Sequence, residues 1–140
     1  MALAAVEDRP LTWIAAARLV QAVEDAFAAA DLDAIRAGFT EDAVARFADF
    51  PEMRGREAIM RFLAARFERT RNYRLKKILR SLTGCVIGNT WDASWEDART
   101  GKQMQGRGTE FWVVRDGRIA LWDATFNAWE KGGPPATPVI

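Results

Sequence analysis

The sequence predicts an α+β domain in which three N-terminal helices cover one face of a curved antiparallel sheet. Three observations carry this. Apolar residues recur at spacings of three and four through the first half of the chain and alternate through the second half. Glycine-containing turns separate the alternating runs. The 140 residues match one domain, with no repeat or composition shift to mark another. Helices first and strands afterwards is α+β order, with the two types segregated.

Residues 1–11 read as a tail whose Glu7 and Asp8, without a basic leader, argue against a secretion signal. Thr12 caps a first helix to about residue 30, with Ile14, Leu19, Val20, Val23 and Phe27 on its stripe. Asp31 caps a short second helix carrying Leu32, Ile35 and Phe39, weakened near its end by Gly38. Residues 40–42 break the pattern, and 43–47 form a short strand. Pro51 and Gly55 mark a loop into a third helix over about 57–70, with Ile59, Phe62, Leu63 and Phe67 apolar and Arg61, Arg66 and Arg69 mostly elsewhere. Strands follow at 73–83, 85–96, 103–114 and 119–127, the last two joined by a tight turn at Arg115-Asp116-Gly117. The domain spans 12–130, and the Pro- and Gly-rich residues 131–140 form a tail expected to be mobile.

Composition excludes several classes of function. The net charge is +1, so no global field points to nucleic acid or an anionic membrane. No run approaches the roughly 20 apolar residues of a membrane span. The single cysteine, Cys85, excludes an internal disulfide and makes the cytoplasm the expected compartment. There is no histidine, which removes Ser-His-Asp and Cys-His mechanisms and most zinc sites. No metal or cofactor is expected. The stretch 61–80 carries eight Lys/Arg against Glu68 alone, but without a glycine-rich loop or interleaved aromatics it reads as a solvated face.

The runs DLDAIRAGFTEDAVARF, GREAIMRFLAARF and GTEFWVVRDGRIALWDATFN, in this order, resemble the nuclear transport factor 2-like superfamily, which includes the SnoaL-like polyketide cyclases. TEDAV, GREAI, NYRLKKIL and the G-x-E-x-W strand are similar to a bacterial and fungal branch of it. The resemblance implies a cystatin-like cone: a bent sheet wrapped around three helices, its mouth opening on a pocket, and commonly a homodimer through the outer sheet face. The fold does not fix function. In the ketosteroid isomerase pattern the proton-shuttling aspartate falls near Phe47 and the oxyanion tyrosine near Val23. In the limonene epoxide hydrolase pattern one aspartate falls at Ala124. The histidines of scytalone dehydratase and the aldol-type cyclases have no counterpart.

Glu110 remains as the candidate catalytic group. It shares a strand face with Gly108, Trp112 and Val114, and the resemblance places it at the second pocket carboxylate. Buried, it would gain a raised pKa and serve as acid or base; alternatively it is exposed or paired with Arg46 or Arg107. Trp112 and Trp122 are expected to meet across the hairpin as apolar walls, joined by Phe126 and Phe47. Arg46, Asp49 and Phe50 fall at the expected mouth, where Arg46 either clamps an anion or pairs with Asp49 or Glu110. Five of the six tryptophans lie between Trp91 and Trp129, more than a small core readily hides, which supports a homodimer. Two functions follow as expectations: binding of a small, mostly apolar molecule with cofactor-independent isomerisation, dehydration or cyclisation, or a non-catalytic protein-interaction module. A ligand-sized cavity at Glu110 favours the first, and a filled cone with a large apolar outer face the second.

Overall fold

The computed structural model describes residues 9–140. Helix α1 (Trp13–Ala28) starts where the Thr12 side chain accepts the Ala15 N–H at 3.1 Å, and α2 (Leu32–Ala37) where Asp31 accepts the Ala34 N–H at 3.0 Å. Gly55, at φ 87°, lets the chain turn into α3 (Arg56–Arg69).

The strands are β1 (Phe39–Phe47), β2 (Met53–Arg54), β3 (Thr70–Thr83), β4 (Val86–Asp97), β5 (Gln103–Arg115) and β6 (Arg118–Glu130). They form one curved, unclosed sheet in the order β2-β1-β6-β5-β4-β3, antiparallel except for the parallel pairing of β1 with β6. Among the described residues no helix is long and apolar enough to cross a membrane.

Two expectations about the first strand need correction. It begins at Phe39 and runs through Thr40–Asp42, with a register shift between Phe39 and Val44. These polar residues are accommodated because Thr40 donates to Asp42 at 2.9 Å and Arg115 pairs with the same carboxylate. The expected loop also holds β2, which adds an edge to β1.

Asp116 (φ 52°) and Gly117 (φ 72°) make the two-residue turn between β5 and β6, and its two positive φ values suit the twist of the flanking strands. The turn pairs Arg115 with Arg118, and a one-residue register shift between Val113 and Val114 then brings Trp112 opposite Trp122 and Glu110 opposite Ala124. Along β4, Trp91 and Ala93 face the concave side, opposite Gly108 and Gly106 of β5. A Cβ at Gly106 would lie 2.9 Å from the Trp95 ring, and one at Gly108 would overlap the Trp91 indole. Those glycines leave room for the indoles to lie over the sheet.

Four of the five clustered tryptophans therefore serve the concave side, and the tryptophan surplus does not itself require a partner. The outer face is mixed: Phe111 and Ile78 are exposed beside Arg107, Thr109 and Thr125. Residues 131–140 have no helix or strand, and Pro135 and Ala136 line a groove with the outer-face residues Trp129 and Arg107.

Candidate functional site

The concave face of β5 carries Glu110 into the interior, where it is 2% exposed. One carboxylate oxygen, Oε1, accepts from the Lys77 ammonium and the other, Oε2, accepts the Trp122 Nε1–H at 2.9 Å. Lys77 comes from β3, where alternation with Leu75 and Leu79 turns it inward opposite Trp91. Its ammonium stands 5.5 Å from the Trp112 ring centroid and 5.9 Å from that of Trp91, close enough for cation–π attraction. Glu24 of α1 accepts the Lys77 backbone N–H at 2.6 Å and ties this stretch of the edge strand to the helix.

The pair borders a cavity of about 20 Å³, room for one water. Val23, Phe27, Phe39, Phe47, Trp112 and Trp122 supply most of its apolar wall. Tyr73 and Arg66 also line it, the Arg66 guanidinium lying 5.2 Å from the Phe47 ring centroid and 5.8 Å from that of Tyr73. Burial pushes the Tyr73 phenol up; the Arg66 charge opposes this and the Glu110 charge adds to it. The phenol therefore stays a neutral hydrogen-bond donor near pH 7. A second cavity of about 150 Å³ lies between α1, α2 and the sheet, lined by Leu19, Ala22, Ala26 and Ile35 among others. Val23, Phe27, Phe39 and Ile119 line both cavities.

The structure brings together Glu110, Trp112, Trp122 and Phe47. Phe126 backs the wall, its ring 4.6 Å from Phe47 and 5.9 Å from Trp91 between centroids. Arg46 does not join them. It lies between inward-facing Ala45 and Phe47, so alternation sends it to the outer face beside Asp123 of β6, exposed. The expected partners of Glu110, Arg46 and Arg107, both point outward, and Lys77 takes that place. Asp49 is exposed in the turn after β1, and Phe50 packs at its rim on Phe62 at 5.2 Å, away from Glu110.

Lys77, Arg66 and Tyr73 are the site residues that the sequence reading missed. Lys77 and Arg66 lie in the basic stretch read as a solvated face. The available signal was period-two: Tyr73, Leu75, Lys77 and Leu79 put one lysine on an apolar strand face. Among the described residues no three carboxylate or thiol side chains converge to hold a metal.

The model of the SnoaL-like domain matches residues 20–122. The chain belongs to the SnoaL-like domain family. Its cone is shared by many solved structures. A candidate polyketide cyclase from Xanthomonas campestris is 26% identical, with a TM-score of 0.72 over 79% of this chain and 89% of that one. A candidate SnoaL-like polyketide cyclase from Jannaschia is 15% identical, with a TM-score of 0.74 over 86% and 90%. An epoxide hydrolase of the LEH-like type from Mycobacterium tuberculosis is 22% identical, with a TM-score of 0.65 over 81% and 84%. No curated relative matches the chain. Val23 and Phe47, where the isomerase pattern would put its tyrosine and aspartate, both line the cavity as apolar residues. In this SnoaL-like domain the charged residues lining the cavity are Lys77, Glu110 and Arg66.

Proposed function

We propose that this SnoaL-like protein binds a small, mostly apolar carbonyl compound and moves a proton on it without a cofactor. The observation that carries this reading is the Lys77–Glu110 pair, 5% and 2% exposed, bordering an apolar cavity. Such a pair is weak evidence for a stabilising role, since an apolar pair of similar volume often does as well. Placed in a pocket, it supplies a base and a cation side by side. Glu110 takes the proton from the carbon next to the carbonyl, and Lys77 stabilises the charge that develops on oxygen. Trp122 holds the second carboxylate oxygen and so orients the base.

Size narrows the ligand. The cavity at the pair holds only about one water, so Phe27 and Phe39 must shift for a carbonyl group to reach Lys77, while an apolar groove of about 150 Å³ lies beyond them. That groove is partly open, with Ala22 and Ala34 exposed on its rim, and its volume is of the order that accepts a benzene-sized group. The substrate class is therefore a monocyclic or short branched ketone or aldehyde, its carbonyl at Lys77. Neighbours described as polyketide cyclases and an epoxide hydrolase support small-molecule chemistry in this cone. The expected ligand-sized cavity at Glu110 is not there, since aromatic side chains fill the cone around it. The interaction-module reading also lacks its second requirement, because the outer sheet face is polar around Phe111 and Ile78.

The test is exchange of α-hydrogens for deuterium in cyclohexanone and its homologues, followed by NMR in heavy water. Wild-type protein is expected to speed exchange above the buffer rate, and Glu110→Gln, assayed while folded, to abolish the gain. Exchange at the buffer rate throughout, with no ketone raising the melting temperature, contradicts the proposal.

A further inference from the structure

The buried lysine offers a second chemistry at the same site, and this inference rests on the pocket reading above. We propose that Lys77 condenses with its carbonyl ligand to form a protonated imine, with Glu110 carrying the protons. The substrate class is then an apolar aldehyde or ketone held covalently during turnover.

Amine nucleophiles need two conditions, a base that removes the ammonium proton and surroundings poor in water. Lys77 has both: the Glu110 carboxylate is its direct partner, and the Trp91 and Trp112 rings flank it. The step balances. Lys77 passes one proton to Glu110, and its neutral amine forms a C–N bond to the carbonyl carbon as the C–O double bond opens; a second nitrogen proton moves to that oxygen and leaves a neutral carbinolamine. The nitrogen lone pair then expels the oxygen, which takes the proton stored on Glu110 and leaves as water. Ammonium and carbonyl have become a protonated imine and water, and Glu110 is again a carboxylate.

The charge pattern explains why the site suits this product. The protonated imine carries the same single positive charge as the ammonium it replaces. Glu110 therefore keeps its counter-ion and the two indoles still face a cation, so no buried charge is left unpaired. The imine also withdraws electrons from the neighbouring carbon, whose proton Glu110 is placed to take.

The chain has four lysines, which makes the test direct. Lys76 and Lys102 have side chains 68% and 56% exposed, and Lys131 is exposed too, so they serve as internal references. Full-length protein is incubated with propanal or benzaldehyde and cyanoborohydride, digested, and mapped by mass spectrometry. One adduct is expected to form first on Lys77, and folded Glu110→Gln protein to form it about a hundredfold more slowly, with labelling of the reference lysines unchanged. Labelling confined to the reference lysines, or equal on all four, overturns the imine. If α-deuterium exchange still depends on Glu110 when Lys77 gives no adduct, the imine is overturned and the acid–base reading stands; absence of both overturns the two together.

Discussion

Asn89 on β4 and Glu110 on β5 are directly opposed strand partners on the concave face, and their polar groups meet different fates. Both Glu110 oxygens are engaged, whereas the buried Asn89 amide has no hydrogen-bond partner among the described residues on either nitrogen or oxygen. A buried polar group without a partner costs about 1–3 kcal/mol. Asn89→Leu, of similar volume, is expected to leave stability unchanged or to raise it by up to about that amount. Denaturant midpoints check this; a clear loss would mean that the amide is bonded to buried water.

Gly108 opposes Trp91 across β4 and β5, and a Cβ there would overlap the indole. Gly108→Ala is expected to cost about 1–3 kcal/mol through overpacking. It should also change the tryptophan fluorescence, because Trp91 must move from its place beside Lys77. An unchanged melting temperature and spectrum would contradict the account of the glycine spacing on β5.

How far the site could be read from sequence depended on one rule applied unevenly. Alternation placed Glu110, Trp112 and Trp122 together, and Asp116-Gly117 announced the turn between their strands. The register shift between Val113 and Val114 that completes their pairing left no signal in the residue types. The same alternation, applied to Ala45-Arg46-Phe47, sends Arg46 outward, yet closeness to the loop made it a site candidate. In β3 the charge density of 61–80 hid an inward lysine, because composition averages over two faces that a strand separates. Arg66 sits on a helix, where its reach into the pocket depends on how α3 packs. The cavity volumes depend on side-chain packing, which no pattern of residue types specifies.

Acid sensitivity has a named source outside the pocket. Arg69, at the end of α3, donates to both Asp97 oxygens at 3.1 and 2.8 Å, and the Arg99 backbone N–H adds a third bond at 3.0 Å. These bonds, Arg69 first, hold the Asp97 carboxyl well below the usual range. The unfolded chain therefore binds this proton more readily than the folded one. The stabilisation is fully present above about pH 4 and is lost as pH falls further. Asp97→Asn should melt lower than wild type at pH 7, with the gap narrowing toward pH 2. A gap that stays constant with pH would contradict the assignment.

Single changes at the buried pair are expected to be costly. Lys77→Met strands a carboxylate and Glu110→Gln strands an ammonium, each costing about 3–5 kcal/mol. Melting of either single variant therefore cannot tell a functional pair from a structural one. The effects should be far from additive, and a double-mutant cycle by chemical denaturation checks this. Additive losses would mean that the two side chains do not depend on each other.

The most direct measurement joins stability and chemistry in one variant. Lys77→Met/Glu110→Met replaces both charges with apolar side chains inside the Trp91, Trp112 and Trp122 wall. If the pair is kept for function, this protein should fold with a melting temperature near that of wild type and lose all acceleration of α-deuterium exchange in small cyclic ketones. A folded double variant that exchanges at the wild-type rate would contradict the central claim that Lys77 and Glu110 carry the chemistry of this cone.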